Sequence, residues 1–175
     1  MVEETVEIPE GIEVNVMNRT ITVKGPKGEL NREFPKEYLS ITKKGNSVVI
    51  SNKVNKARPI VGTFNSHINN MIKGVQEEFV YKLRVCFSHF PTTVEIQGNK
   101  FIIKNFLGGS KNREVDIPSN VSVEINGREI EVKSIDKEAA GSFAGVIEQK
   151  TRSKKKDLRV FQDGCYIIEK AGKEV

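Results

Sequence analysis

The chain has 175 residues, of which 37% are hydrophobic and 29% charged, with a net charge of +5. That balance excludes a disordered polyelectrolyte, and no apolar run reaches membrane-spanning length. The acidic start MVEETVEIPE lacks the apolar core of a signal peptide, so cytoplasmic residence is expected.

In chain order, alternating Ile12–Val16 and Thr20–Lys24 flank the polar link Asn18-Arg19, a hairpin pattern. A second hairpin is predicted from Leu39–Thr42 and Ser47–Ser51, closed at Lys43–Asn46. An amphipathic helix follows over about Lys56–Lys73. Ile60, Phe64, Ile68, Met71 and Val75 mark its buried stripe, Pro59 falls in its first turn and Gly74 is the expected C′ residue.

Four blocks of this first stretch then recur in the same order. Val14–Lys24 aligns with Val94–Lys104, Asn31–Glu33 with Asn112–Glu114 and Leu39–Gly45 with Val121–Gly127. Finally Gly62-Thr-Phe64 aligns with Gly141-Ser-Phe143. Four ordered matches argue for duplication. The expected fold is therefore α+β: two tandem modules, residues 1–80 and 81–175, each a mostly antiparallel sheet carrying one helix. The matched glycines 62 and 141 imply close helix–sheet approach, and Phe64 and Phe143 are expected core anchors.

The second helix begins at Asp136, a good N-cap, with Ala140, Phe143 and Ile147 at helical spacing. Directly after it lies KTRSKKKDLR, residues 150–159, which sets Lys150, Arg152, Lys154, Lys155, Lys156 and Arg159 against one acid, Asp157. The segment's charge equals that of the whole chain, leaving 22 bases and 22 acids elsewhere. A localised cation cluster suits a polyanion, since each neutralised phosphate releases condensed counterions. It is tethered at its far end, where Asp163-Gly164 reads as a turn and Cys165–Ile168 as a strand. The first module instead ends Lys73-Gly-Val-Gln-Glu-Glu-Phe79, with two acids at the corresponding place.

Catalytic and metal chemistry find little support. Lys24-Gly-Pro-Lys-Gly28 and Gly108-Gly-Ser-Lys111 lack the order of a nucleotide-binding P-loop and read as connecting turns. Lys111 and Arg113 could let the second of these loops touch phosphate weakly. His67 directly follows Ser66, so the two do not face each other on a helix, and His89 has no evident partner. Cys86 and Cys165 are expected to be reduced, although a single disulfide remains open, and no ligand set for a metal or cofactor is visible.

Ile21-Thr-Val-Lys-Gly-Pro-Lys-Gly-Glu-Leu30 and Ile68-Asn-Asn-Met-Ile-Lys-Gly-Val75 resemble the large-subunit ribosomal protein L-six family. So do Gln149, Lys156, Arg159, Phe161, Asp163, Gly164, Tyr166, Ile167 and Lys170, which are similar to the archaeal and eukaryotic C-terminal signature. The chain departs from that signature at Ser153 and Cys165, where the branch usually carries aliphatic residues. The resemblance implies a structural, non-enzymatic protein that binds large-subunit rRNA, mainly through its second module, near the base of the factor-binding stalk. It implies neighbouring ribosomal proteins as partners, proximity to translational GTPases, and no cofactor. The competing reading is a nucleic-acid-processing enzyme that docks through the same basic loop; a protein-only scaffold would leave the charge localisation unexplained.

Overall fold

The structure is a computed structural model that describes residues 3–54, 58–153, 156–157 and 159–175. Two compact units divide at Glu78/Phe79. The first contains β1 (Glu3–Glu7), β2 (Glu13–Met17), β3 (Thr20–Gly25), β4 (Gly28–Glu33), β5 (Leu39–Lys44), β6 (Ser47–Asn52) and α1 (Arg58–Gln76). The second contains β7 (Phe79–Cys86), β8 (Thr93–Gln97), β9 (Lys100–Lys104), β10 (Arg113–Asp116), β11 (Ser122–Asn126), β12 (Glu129–Ser134), α2 (Lys137–Lys150), β13 (Gly164–Lys170) and β14 (Lys173–Glu174).

The sheets reproduce the duplication. The first unit has antiparallel sheets β1-β6-β5 and β2-β3-β4; the second has β10-β9-β8 and, in β7-β12-β11, the counterpart of β1-β6-β5. On the opposite edge of β7 the second unit adds β13 and then β14, for which the described residues of the first unit hold no equivalent. Matched positions do matched work. Gly45 and Gly127 adopt φ +58° and +64° in the β5–β6 and β11–β12 hairpins, a backbone that other residues reach at a cost.

Period-two alternation turns one face of each strand inward. Val14, Ile21, Val23, Val48, Ile50 and Ile68 are fully buried in the first core; Leu83, Phe101, Ile103, Ile130, Val132 and Ile147 are in the second. Both expected anchors, Phe64 and Phe143, are buried, and Phe143 meets Phe101 edge-to-face at 6.5 Å.

Three expectations are corrected. Gly74 does not end α1, which continues to Gln76. Val75 holds the extra turn: its carbonyl accepts from Lys27 N at 3.0 Å, and a Cβ on Gly25 would lie 2.7 Å from its side chain. Helix and β3–β4 turn therefore meet at a position only glycine fits. Second, the two helix glycines are not alike. A Cβ on Gly141 would stand 3.1 Å from the Tyr81 hydroxyl, but one on Gly62 would meet nothing closer than Glu4 Oε1 at 3.9 Å. Of the two matched helix glycines, only Gly141 marks a close helix–sheet approach; in the first unit that approach falls at Gly25 instead. Third, Asp163-Gly164 is not a turn: Asp163 is a buried acceptor and Gly164 opens β13. The expected start of the first helix at Lys56 lies outside the described residues.

Candidate nucleic-acid interface

The basic segment starts as the last turn of α2. Asp136 caps the other end as expected, its carboxylate accepting from Glu138 N at 3.0 Å. At the C-terminal end Thr151 Oγ1 accepts from Cys165 N at 2.9 Å and lies 3.2 Å from the Ile147 carbonyl. Glu148 Oε1 lies 3.4 Å from Ile167 N. Thr151 and Glu148 thus engage two N–H groups of β13, those of Cys165 and Ile167, so the loop leaves a fixed point and returns to one.

Arg113, expected as a phosphate contact, also supports this loop. Its guanidinium donates to the Lys150 carbonyl and lies 4.1 Å over the Phe106 ring. Burial lowers its pKa from the ordinary value, while the group stays charged. A cation against the last carbonyls of a helix complements the macrodipole. Arg113 thereby joins the Gly108–Asn112 turn to the basic segment, and Lys111 is exposed on that turn.

A second anchor escaped sequence reasoning. Asp163, 2% exposed, accepts from the backbone N–H and the hydroxyl of Ser88 and from His89 Nδ1. The imidazole stacks on Phe161 at 4.8 Å, and Lys156 Nζ lies 4.2 Å over the same ring. Burial by itself would raise the Asp163 pKa; the donors from Ser88 and His89 outweigh it and hold the carboxyl below its ordinary value of 3.8. Ser88, His89 and Asp163 do not make a nucleophile–base–orienter chain. Ser88 Oγ and the carboxylate approach the same ring nitrogen, and a carboxylate can only accept, so Nδ1 carries its proton toward Asp163. The phenylalanine and aspartate of the FQDG stretch could have flagged a packed loop, but nothing near His89 names its partner 74 residues away.

Charge is disposed differently on the neighbouring sheets. Lys82 pairs with Glu169 at 2.8 Å, Arg84 with Glu129 at 2.8 Å, and Lys133 with both Glu124 and Glu131. Lys100 pairs with Glu114 at 2.8 Å. Hydrogen bonds donated to these carboxylates raise the pKa of Lys82, Lys100 and Lys133. Lys111, Lys150, Arg152 and Lys156 are exposed and have no acidic partner among the described residues. Arg159 shares a 3.4 Å contact with Asp157, whose carboxylate also accepts from Arg159 N. Lys154 and Lys155 lie outside the described residues. Lys82, Arg84, Lys100 and Lys133 are thus neutralised in place on the sheets, while Lys111, Lys150, Arg152 and Lys156 are exposed.

The sequence profile described as Ribosomal protein L6 matches residues 8–78 and 90–164, one segment in each unit. The chain belongs to the ribosomal protein L6 family. Relatives named "Large ribosomal subunit protein uL6" include that of Methanothrix thermoacetophila, 43% identical over 97% of this chain and 99% of its own length. Those of Aeropyrum pernix and Methanosarcina mazei are 44% and 42% identical, each over 97% of this chain and 94% and 98% of their own lengths. The names are those of ribosomal proteins, which sets aside the enzyme alternative, and the archaeal sources agree with the FQDG form of the C-terminal signature. The L6 match spans both copies, so the duplication is part of the family's architecture.

The remaining chemistry is structural. Cys86 and Cys165 are free thiols. They occupy successive registers on β7 and β13, Gly164 opposite Cys86 and Cys165 opposite Val85, so they turn to opposite faces. Burial pushes the Cys165 thiol up to about 12, which makes it inert. No described helix is long and apolar enough to cross a membrane.

Proposed function

We propose that this L6-family chain is a structural component of the large ribosomal subunit that binds rRNA through its second unit. The observation that supports this most is the contrast between the paired sheet cations Lys82, Arg84, Lys100 and Lys133 and the cations Lys150, Arg152 and Lys156, which are exposed and have no acidic partner among the described residues. Lys150, Arg152, Lys156 and Arg159, with Lys154, Lys155 and Lys111, form the phosphate-facing set. Arg113 holds their loop against the Gly108–Asn112 turn. Loop ends fixed by Thr151, Arg113 and Asp163 lower the ordering cost of binding. RNA duplexes hide their base edges in a deep groove, so backbone and shape carry most of the recognition.

The finer placement, near the base of the factor-binding stalk and within reach of translational GTPases, and residence in the cytoplasmic ribosome are parts of the same proposal. They follow from the family resemblance. Lysate sedimentation with and without EDTA tests the assignment. The chain should follow the large subunit when EDTA splits the ribosome; recovery mainly in the soluble fraction under both conditions would refute it.

A further inference from the structure

Between the end of α2 and the outer edge of β13 lies a cavity of about 370 Å³. That volume falls in the range of roughly 300–1,000 Å³ typical of small-ligand sites. Three features make it more than a packing gap. Ser153 lines it, and its hydroxyl, shielded from solvent, has no hydrogen-bond partner among the described residues, a state folded proteins rarely leave unexplained. Glu148 also lines it; one carboxylate oxygen makes the 3.4 Å contact with Ile167 N, and the other receives no donor among the described residues.

The third is Tyr166, which is fixed in place yet 41% exposed. Its hydroxyl donates to the Gln162 carbonyl at 3.1 Å, and its ring lies so close to Gly164 that a Cβ there would come within 3.3 Å of it. Gly164 is glycine because the ring needs that space. The result is a rigid aromatic plate at the cavity, beside the exposed Arg152 guanidinium.

We propose that this cavity receives one unstacked nucleobase of the bound RNA, stacked on Tyr166 and read by Glu148 as guanine. The proposal rests on the RNA-binding reading above and gives that site a base-specific contact. An aromatic plate beside a cation is the usual receiver for a splayed base and its phosphate. An ionised carboxylate only accepts, and guanine alone among the four bases presents two adjacent N–H donors on its pairing edge. Arg152 meets the phosphate.

The test uses the full chain at about physiological ionic strength and four fluorescein-labelled decauridines whose central base is G, A, C or U. Fluorescence anisotropy should give about tenfold tighter binding for G, the order expected of one bidentate base contact. Glu148→Gln keeps an acceptor for Ile167 N and should cut the preference below about twofold. Tyr166→Phe should bind as the parent does, and Tyr166→Ala about tenfold more weakly. Free GMP should displace the G-containing RNA only at millimolar concentration; tight GMP binding without RNA would overturn the RNA source in favour of a free-nucleotide site. Equal binding of all four oligonucleotides, or a G preference that survives Glu148→Gln, overturns the pocket. So does binding confined to a large-subunit rRNA fragment, although that result leaves the RNA-binding reading intact. Failure to bind the rRNA fragment itself overturns the reading beneath it.

Discussion

His89 Nδ1 lies 3.1 Å from a carboxylate oxygen of Asp163, and this contact ties the entry to β13 to the loop that follows β7. Asp163 is nearly inaccessible to solvent and takes two further donors from Ser88. Its removal strands the Ser88 N–H and releases the imidazole that supports Phe161, and through that ring Lys156. Asp163→Ala should cost about 3 kcal/mol in urea unfolding, the upper range for orphaning buried polar groups. Asp163→Asn should cost less, because one carbonyl acceptor remains.

The same carboxyl fixes a pH dependence. Its folded pKa lies below the ordinary 3.8, so its stabilisation is complete above that value and is lost as pH falls through the lower folded one. Unfolding measured from pH 5 to pH 2 should therefore show a loss of stability below about pH 4 that is smaller in Asp163→Asn. An identical acid limb in both proteins would mean that the carboxylate does not carry this network.

The paired helix glycines offer a matched comparison. Gly62→Ala meets only Glu4 Oε1, at an ordinary van der Waals distance of 3.9 Å, and should stabilise by about 0.5–1 kcal/mol through backbone entropy and helix propensity. Gly141→Ala drives a methyl against the Tyr81 hydroxyl and should lose that gain or reverse it. Thermal denaturation of the two variants should rank Gly62→Ala above the parent and Gly141→Ala below Gly62→Ala.

Arg113 and Lys111 are separated only by Asn112 but should fail differently. Lys111→Gln removes an exposed cation and should reduce the salt slope of RNA binding by at most about 1 unit without changing stability. Arg113→Lys loses the planar group that both donates to the Lys150 carbonyl and covers Phe106. It should lower the melting temperature while leaving the salt slope nearly unchanged.

What the sequence disclosed was local or repeated. The hairpins, the Asp136 cap, the buried stripe of α1 and the order of the two copies all follow from period, turn chemistry and self-similarity. The charge of residues 150–159 was equally plain. What stayed hidden depends on contacts between distant residues. Gly74 looks like a helix terminator until Val75 is seen locked against Gly25. Asp163-Gly164 has the composition of a turn, but its geometry is set by Ser88 and His89 on one side and by the Tyr166 ring on the other. Arg113 counts as one more cation in the sequence, and only the fold directs it onto a helix end. The cavity beside Tyr166 likewise arises where α2 meets β13, fourteen residues after Thr151 by the hydrogen bond that joins them.

The most direct test of the account compares two triple variants of the full chain on one large-subunit rRNA fragment across a salt series. Lys154, Lys155 and Lys156 changed to Gln should flatten the slope of log affinity against log salt by roughly 2–3 units, taking about 0.9 per phosphate as for duplex DNA. Lys82, Lys100 and Lys133 changed to Gln, whose charges are already met by Glu169, Glu114 and Glu124, should leave it unchanged. An unchanged slope in the loop variant, with its fold intact, or an equal drop in the sheet variant, would contradict the claim that the end of α2 is where this protein meets RNA.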